Sequence, residues 1–244
     1  MKSFKTEVER GVGKSLENIF AACPDTIETK LENFPKYVRR QHLKRFLAMY
    51  EIFKKILHVK GSIIECGVFR GFSLMTWAKL STILEPENLT RRVYGFDTFE
   101  GFPAVSEVDR GAGGIAEPGD FQSSSYEELL NIVRLYDQDR FLGHIPKVHL
   151  IRGDAVRTIP DFVKENCHLL VSLFFLDMDL YEPTKLALQH FLPRMPKGAV
   201  IAFDELDNPI WPGETTALLD ALSINRVKIE RLEWDPYIGY VVVD

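Results

Sequence analysis

The sequence lacks several features that would place it in a class at once. Its 244 residues contain only three cysteines, which are widely spaced and odd in number, so neither a disulfide framework nor a cysteine metal site is indicated. No run approaches 18 consecutive apolar residues, which argues against a membrane-spanning helix. The polar first residues lack the apolar core of a signal peptide. We therefore expect reduced thiols and a cytoplasmic protein.

Excess positive charge and common catalytic signatures are also missing. The formal charge of −5 gives no general attraction for nucleic acid or for an anionic membrane. The six histidines show no metal-ligand spacing, and no serine-centred nucleophile elbow is present. These absences argue against nucleic-acid, membrane and serine-hydrolase functions, and they leave a small-molecule substrate open.

From residue 61 onward, short apolar runs alternate with helical patterns. Strands are predicted at 62–66, 92–96, 147–151, 169–176, 199–203, 227–232 and 239–243. Helices are predicted at 73–84, 126–136, 160–166, 183–191 and 214–222. The alternation predicts an α/β fold in which a seven-stranded, mainly parallel sheet lies between helices and ends in an antiparallel hairpin.

Two further regions lie outside this pattern. Residues 1–60 show helical spacing without a convincing strand, so we predict an N-terminal helical extension before a domain at 61–244. Segment 101–125, with Gly111-Ala-Gly113-Gly114 at its middle, is longer than a usual connection and predicts either a lid or a disordered loop. We favour the lid, because the segment follows a candidate cofactor residue.

Two apolar runs end in acids. One is followed by Asp177-Met-Asp179 and the other by Asp204-Glu205, and the ends of neighbouring parallel strands meet where open α/β sheets bind ligands. Two unit charges 4 Å apart repel by ~4 kcal/mol at an effective dielectric of ~20. Asp177, Asp204 and Glu205 therefore predict a site for a divalent cation. In the alternatives, Asp179 caps the next helix and Asp204-Glu205 is a surface turn.

The first three strands end in a pattern typical of nucleotide-type cofactor sites. Gly67 and Gly71 follow the first strand, where their missing side chains would let a ligand approach the backbone. Asp97 ends the second strand and suits ribose hydroxyls, and Asp154 follows the third, where it suits an adenine amino group. The Gly-x-x-x-Gly spacing differs from that of dinucleotide enzymes and favours S-adenosylmethionine over NAD.

Four motifs resemble the macrocin O-methyltransferase family over about residues 37–225. They are Glu65-Cys-Gly-Val-Phe-Arg-Gly-Phe-Ser73, Gly95-Phe-Asp-Thr-Phe-Glu-Gly-Phe-Pro103, Leu176-Asp-Met-Asp-Leu-Tyr-Glu-Pro-Thr184 and Trp211-Pro-Gly-Glu214. The resemblance implies a Rossmann-like class I methyltransferase fold that uses S-adenosylmethionine and magnesium, commonly in a homodimer or higher homo-oligomer. It also implies a sugar-type acceptor of the kind found in macrolide and aminocoumarin antibiotics.

The resemblance assigns a role to each candidate residue. The cofactor would be bound by Glu65, Gly67, Gly71, Ser73, Asp97 and Asp154. The metal ligands would be Asp177, Asp204 and Glu205, and the general base would be Asp179. Glu205 departs from the family, which usually has Asp at that position.

We accordingly expect a metal-dependent O-methyltransferase that acts on a vicinal diol of a small molecule. A catechol-type methyltransferase acting on an aromatic diol is the nearest alternative. An NAD-dependent oxidoreductase, or a nucleotide-binding Rossmann protein without methyltransferase activity, would leave the acid cluster without a role.

Overall fold

The computed structural model describes residues 6–110 and 115–244, which divide into two compact units. The first unit ends at Leu47 and the second runs from Ala48 to Asp244. The sequence predicts a boundary at residue 60, where the helical extension ends. Helix α3 (Arg40–Lys55) crosses the division between the two units, and its residues Ala48, Ile52 and Phe53 are fully buried.

The first unit is helical in its described residues, in keeping with its spacing. It contains α1 (Glu7–Ala22), α2 (Ile27–Glu32), a 3₁₀ turn (Phe34–Lys36) and the start of α3. A capping box begins α1, because the Thr6 hydroxyl accepts from the Glu9 amide and the Glu9 carboxylate accepts from the Thr6 amide.

The second unit contains a seven-stranded sheet in the described residues. Its strands are β1 (Ser62–Cys66), β2 (Val93–Asp97), β3 (Val148–Arg152), β4 (Val171–Leu176), β5 (Val200–Phe203), β6 (Ile229–Leu232) and β7 (Asp235–Val242). Their order is β3-β2-β1-β4-β5-β7-β6, and β7 alone runs antiparallel to both of its neighbours. The predicted mainly parallel sheet with a terminal hairpin is confirmed.

Helices cover both faces of this sheet. The remaining helices are α4 (Phe72–Leu84), α5 (Tyr126–Gln138), α6 (Ala155–Glu165), α7 (Tyr181–Phe191) and α8 (Gly213–Ala221), with short 3₁₀ turns at Leu192–Arg194 and Ile224–Arg226. Successive residues of β4 point to opposite faces. Phe174 packs against Phe191 of α7 at 5.3 Å between ring centroids, and Phe175 packs against Trp77 of α4 at 5.5 Å.

Two helices begin at least two residues earlier than the sequence predicts. Helix α6 starts at Ala155 and contains Pro160 in its interior, although the proline suggested a start at 160. Helix α7 starts at Tyr181 instead of residue 183. In both helices an aspartate side chain accepts from an amide of the first turn. For α6 it is the adjacent Asp154, and for α7 it is Asp109, which lies much earlier in the chain. Across the described residues, no helix is both long enough and apolar enough to cross a membrane.

Arg91 fixes the end of the sheet opposite to the acidic strand ends. Its guanidinium donates to the carbonyls of Ile56, Val59 and Gly61 and to the Ser172 hydroxyl. Its Nε also lies 2.6 Å from the Glu85 carboxylate, and both side chains are almost inaccessible to solvent. The guanidinium of Arg91 therefore joins the segment after α3 to the starts of β1 and β4.

Replacing Arg91 should destabilise the fold strongly. Arg91→Ala removes the cation beside the largely buried Glu85 carboxylate and leaves it with the neutral donors Ser81 and Asn88, so we expect a loss of about 3–5 kcal/mol in the free energy of unfolding, measured by urea denaturation. Arg152→Ala is the matched control, because the Arg152–Glu100 pair is as short, 2.7 Å, but its side chains are 48% and 68% exposed. The control should change stability by less than about 1 kcal/mol, and equal losses in the two variants would contradict this role for Arg91.

Candidate active site

The carboxyl ends of the parallel strands open into one cavity. It is lined by Gly67 after β1, Asp97 at the end of β2, Asp154 after β3, and Asp177 and Asp179 after β4. Among the described residues that line this cavity there is no lysine, arginine or histidine. The structure thus brings three of the predicted cofactor residues together with two of the predicted catalytic and metal-binding acids, in surroundings that favour a positively charged ligand.

Gly67 lies directly against the backbone that carries Asp177. Its φ is +94°, and a Cβ atom at this position would overlap the carbonyl oxygen of Asp177. The Gly67 amide also donates to the Phe96 carbonyl at 2.9 Å, and the Asp177 amide donates to the Cys66 carbonyl at 2.8 Å. We call residues 177–180, which follow β4, the acid loop. The turn after β1 lies so close to this loop that only glycine fits at position 67.

Asp97 holds the same turn from the other side. Its carboxylate accepts from the amides of Val68 and Phe69 at 2.8 and 2.7 Å, and from the Phe99 amide at 2.6 Å. These bonds orient the carboxylate and use part of its accepting capacity. Contact between Asp97 and ribose hydroxyls stays a prediction. In such a contact the same carboxylate would bind both the ribose and the amides of the turn.

Asp154 both caps a helix and lies on the cavity wall. Its carboxylate accepts from the Val156 amide at 3.0 Å and caps α6, and the residue also lines the cavity. The cap fixes Asp154 at the cavity wall where an adenine amino group is predicted.

The other predicted cofactor residues lie beneath the turn and not on the cavity wall. Ser73 donates to the Glu65 carboxylate at 2.8 Å, and both residues are buried. Gly71 begins α4 with a φ of +81°, and a Cβ atom there would overlap the Leu129 side chain. These residues position the turn from below, and their contact with the cofactor stays a prediction.

Asp177 and Asp204 follow strands that pair in parallel, as expected. Leu176 of β4 is in register with Phe203 of β5, and the Asp204 amide donates to the Leu176 carbonyl at 3.0 Å. Asp204 is buried, whereas Glu205 is partly exposed and its carboxylate accepts a hydrogen bond from the Asn208 amide group. Within residues 6–110 and 115–244, no group of three or more histidine, cysteine or acidic side chains is arranged to hold a metal ion.

Glu214 is the acid of this site to which the sequence assigned no role. It is completely buried, and its Oε1 accepts from the amides of Met178 and Asp179 at 3.0 and 3.3 Å. Its Oε2 accepts from the Glu205 amide at 3.4 Å. Burial, with the negative charges of Asp179 and Asp204, raises the pKa of Glu214 well above its usual range. One carboxyl group thus joins the loop after β4 to the loop after β5. In the sequence, only the Trp211-Pro-Gly-Glu214 motif indicates that Glu214 belongs to the site.

Asp179 adopts an uncommon backbone conformation at the cavity wall. Its φ is +61°, a left-handed value that costs a residue other than glycine about 1–3 kcal/mol. The alternative in which Asp179 caps α7 is wrong, because Leu180 occupies the N-cap position and no capping bond comes from that residue's side chain. Asp179 is also one of the residues that line the cavity.

Segment 101–125, whose role as a lid stays a prediction, contributes the rings of Phe102 and Phe121 to the cavity wall. Its described residues, 101–110 and 115–125, are closed at the base by backbone bonds between Phe102 and both Gly119 and Asp120; the four residues 111–114 lie outside the described part. Phe121 lies 5.9 Å from Phe69 and 5.6 Å from Trp211 between ring centroids. We call Phe69, Phe102, Phe121 and Trp211 the aromatic wall.

Comparison with known proteins gives this geometry a family. The model of the macrocin O-methyltransferase family matches residues 38–230, most of the chain. An enzyme of Streptomyces olivaceus, 8-demethyl-8-(2,3-dimethoxy-alpha-L-rhamnosyl)-tetracenomycin-C 4'-O-methyltransferase, is 28% identical over 152 residues, or 60% of this chain. That match spans 53% of the enzyme, about half of its length.

Solved structures agree with the family match. The calicheamicin methyltransferase CalS11 is 34% identical, with a TM-score of 0.94 over 98% of this chain and 94% of its own. An apo structure of CalS11, described as a TDP-rhamnose 3'-O-methyltransferase, is 32% identical, with a TM-score of 0.84 over 98% and 96% of the two chains. The O-methyltransferase NovP is 22% identical, with a TM-score of 0.64 over 82% and 79%, and shares the fold.

The sequence motifs, the strand-end cavity and these relatives lead to the same conclusion, and the chain belongs to the macrocin O-methyltransferase family.

Proposed function

We propose that this O-methyltransferase moves a methyl group from S-adenosylmethionine to a hydroxyl of a sugar-type vicinal diol in a natural product, with Mg²⁺ bound at the strand ends. The observation that carries the proposal is the single cavity in which the turn at Gly67 meets Asp177 and Asp179. Two relatives are named as acting on rhamnose or a rhamnosyl group, which supports a deoxysugar acceptor.

The residues of the cavity fit S-adenosylmethionine. Gly67 leaves the backbone open to close approach, and Asp97 and Asp154 offer acceptors for ribose hydroxyls and an adenine amino group. The absence of lysine, arginine and histidine among the described lining residues suits a sulfonium cation. When bound, this donor supplies a methyl group that is activated by the positive charge on sulfur.

The donor atoms at the strand ends fit Mg²⁺, although the three predicted ligands are not assembled in this structure. Carboxylate oxygens are the ligands that this hard cation prefers. Asp177 and Asp204 follow neighbouring strands, and Glu205 would have to exchange its Asn208 contact to join them. A bound cation would offset the negative charge that raises the pKa of Glu214, and it would polarise the acceptor oxygens.

In this mechanism the residues of the chain supply a general base, hold the acceptor in place and limit the access of water to the reacting atoms. Asp179 accepts the proton that the acceptor hydroxyl loses as its oxygen forms the bond to the methyl carbon. Electrons of the broken carbon–sulfur bond remain on sulfur. The aromatic wall excludes water from this step, and its rings suit the apolar face of a sugar.

Methylation of a small panel of acceptors tests the proposed function. We expect S-adenosylmethionine and Mg²⁺ to support methylation of TDP-rhamnose or a rhamnosyl glycoside, measured as incorporation of the labelled methyl group. EDTA should abolish the reaction and added Mg²⁺ should restore it. Exclusive methylation of a catechol would overturn the sugar acceptor, and full activity in EDTA would overturn the role of the metal.

Gly67→Ala should remove donor binding. The new Cβ atom overlaps the Asp177 carbonyl oxygen, so the turn and the acid loop must separate. We expect the Kd for S-adenosylhomocysteine, measured by calorimetry on protein shown to be folded by circular dichroism, to rise at least tenfold. Gly119→Ala is the matched control, because Gly119 also has a positive φ, +91°, but has open space around it. Wild-type affinity in Gly67→Ala would contradict the close approach.

Asp179→Asn should abolish turnover without affecting donor binding. The amide cannot take a proton from the acceptor, so kcat should fall by roughly 10²–10⁴-fold while the Kd for S-adenosylhomocysteine stays unchanged. Asp207→Asn is the control, because Asp207 has a similar φ, +58°, and is exposed. An Asp179→Asn protein with full turnover would remove Asp179 as the base.

A further inference from the structure

Helix α7 begins two residues after the proposed base, and its N-cap residue makes no side-chain capping bond. Its N-cap residue is Leu180, and Tyr181 is the first helical residue. The Tyr181 amide donates at 2.7 Å to Oδ1 of Asp109, which is 72 residues earlier in the chain and belongs to segment 101–125. The amide of the first helical residue is therefore capped by a residue of the segment that contributes Phe102 and Phe121 to the cavity wall.

Asp109 is held rigidly in this position. Only 3% of the residue is exposed, and its Oδ2 accepts from the Ser106 amide at 2.8 Å and from the Ser106 hydroxyl at 2.6 Å. Both carboxylate oxygens are thus used, one within the segment and one on α7. A carboxylate bonded on both sides cannot rotate without breaking one of these contacts.

The start of α8 meets the same point. A Cβ atom on Gly213 would lie 2.6 Å from Oδ1 of Asp109 and 2.5 Å from the Tyr181 amide nitrogen, and it would also overlap the Asp179 carbonyl. Segment 101–125, the acid loop and α8 therefore touch at one place, immediately beside the backbone of Asp179.

Asp179 depends on such contacts because its backbone is in the left-handed region. The loop that carries it is fixed on one side by the bond from the Asp177 amide to Cys66, and in the middle by Glu214. On the other side it is fixed by the bond from Tyr181 to Asp109. We propose that Asp109 is a positioning residue, which fixes the end of this loop and thereby the direction of the Asp179 side chain at the acceptor.

This proposal rests on the proposed function, in which Asp179 is the base. A carboxylate that only closed a local turn in segment 101–125 would not affect the acid loop. Asp120 provides that comparison, because its Oδ2 accepts from the Glu117 amide at 2.9 Å, a bond of the same type and spacing as that of Asp109 with Ser106.

The experiment compares Asp109→Ala, Asp109→Asn and Asp120→Ala in the full chain. Steady-state methylation of the acceptor found with the panel above is measured together with hydrogen exchange of peptides that cover residues 177–182. We expect Asp109→Ala to lower kcat at least tenfold, to change KM for S-adenosylmethionine less than twofold, and to speed exchange in these peptides at least tenfold. Asp109→Asn should recover part of both losses, since its amide oxygen can accept from Tyr181 although its NH2 group cannot accept from the Ser106 amide. Asp120→Ala should change neither.

Several results would overturn the proposal. They are an unchanged kcat in Asp109→Ala, a lower kcat without faster exchange at 177–182, and equal effects in Asp120→Ala. If Asp109→Ala does not fold, Ser106→Ala removes one of the bonds that orient the Asp109 carboxylate, and an unchanged kcat in that variant would also overturn the proposal. Hydrogen exchange can be measured without an acceptor, so the two proposals can fail separately. A wild-type protein that transfers no methyl group would refute only the proposed function. Unchanged exchange at 177–182 in Asp109→Ala would refute the role of Asp109.

Discussion

Crowding of negative charge at the ends of β4 and β5 is the constraint on which the rest of the site depends. Three aspartates follow these two adjacent buried strands, and two of them, Asp177 and Asp179, line a cavity whose described lining residues include no basic side chain. Glu214 joins the loops that carry them, because its buried carboxyl group accepts from backbone amides after β4 and after β5. Its raised pKa limits the negative charge that it adds.

The acids and the buried Arg91 side chain lie at opposite ends of the sheet. Arg91 gathers backbone carbonyls at the end of the sheet where β1 and β4 begin, and the acids gather backbone amides where the same strands end. The carbonyls that Arg91 binds belong to the segment between α3 and β1, and the amides that Glu214 binds belong to the loops after β4 and β5, so these connecting segments attract side chains of opposite charge. The fold's stability and its chemistry consequently depend on different ends of the same strands.

Much of this arrangement could be predicted from the sequence, and the remainder depended on contacts between distant residues. Each apolar run that ends in acid has a local signal, so the pairing of the strands before Asp177 and Asp204 was predictable once the sheet was assumed to be parallel. Glu214 is more than 30 residues from the amides it binds at Met178 and Asp179, and only its motif attracted notice. The start of α7 was misjudged for the same reason, because its capping carboxylate is far away in the chain and no local pattern reveals it.

The two glycines that flank the acid loop have a consequence for precision. Gly67 touches the loop at the carbonyl of Asp177, and Gly213 touches it at the carbonyl of Asp179. The loop is therefore clamped between main chains, with no side chain in either contact. Main-chain contacts have no rotamers to exchange, so van der Waals radii set how closely these two glycines approach the loop, and the side chains of Glu214 and Asp109 then hold its amides.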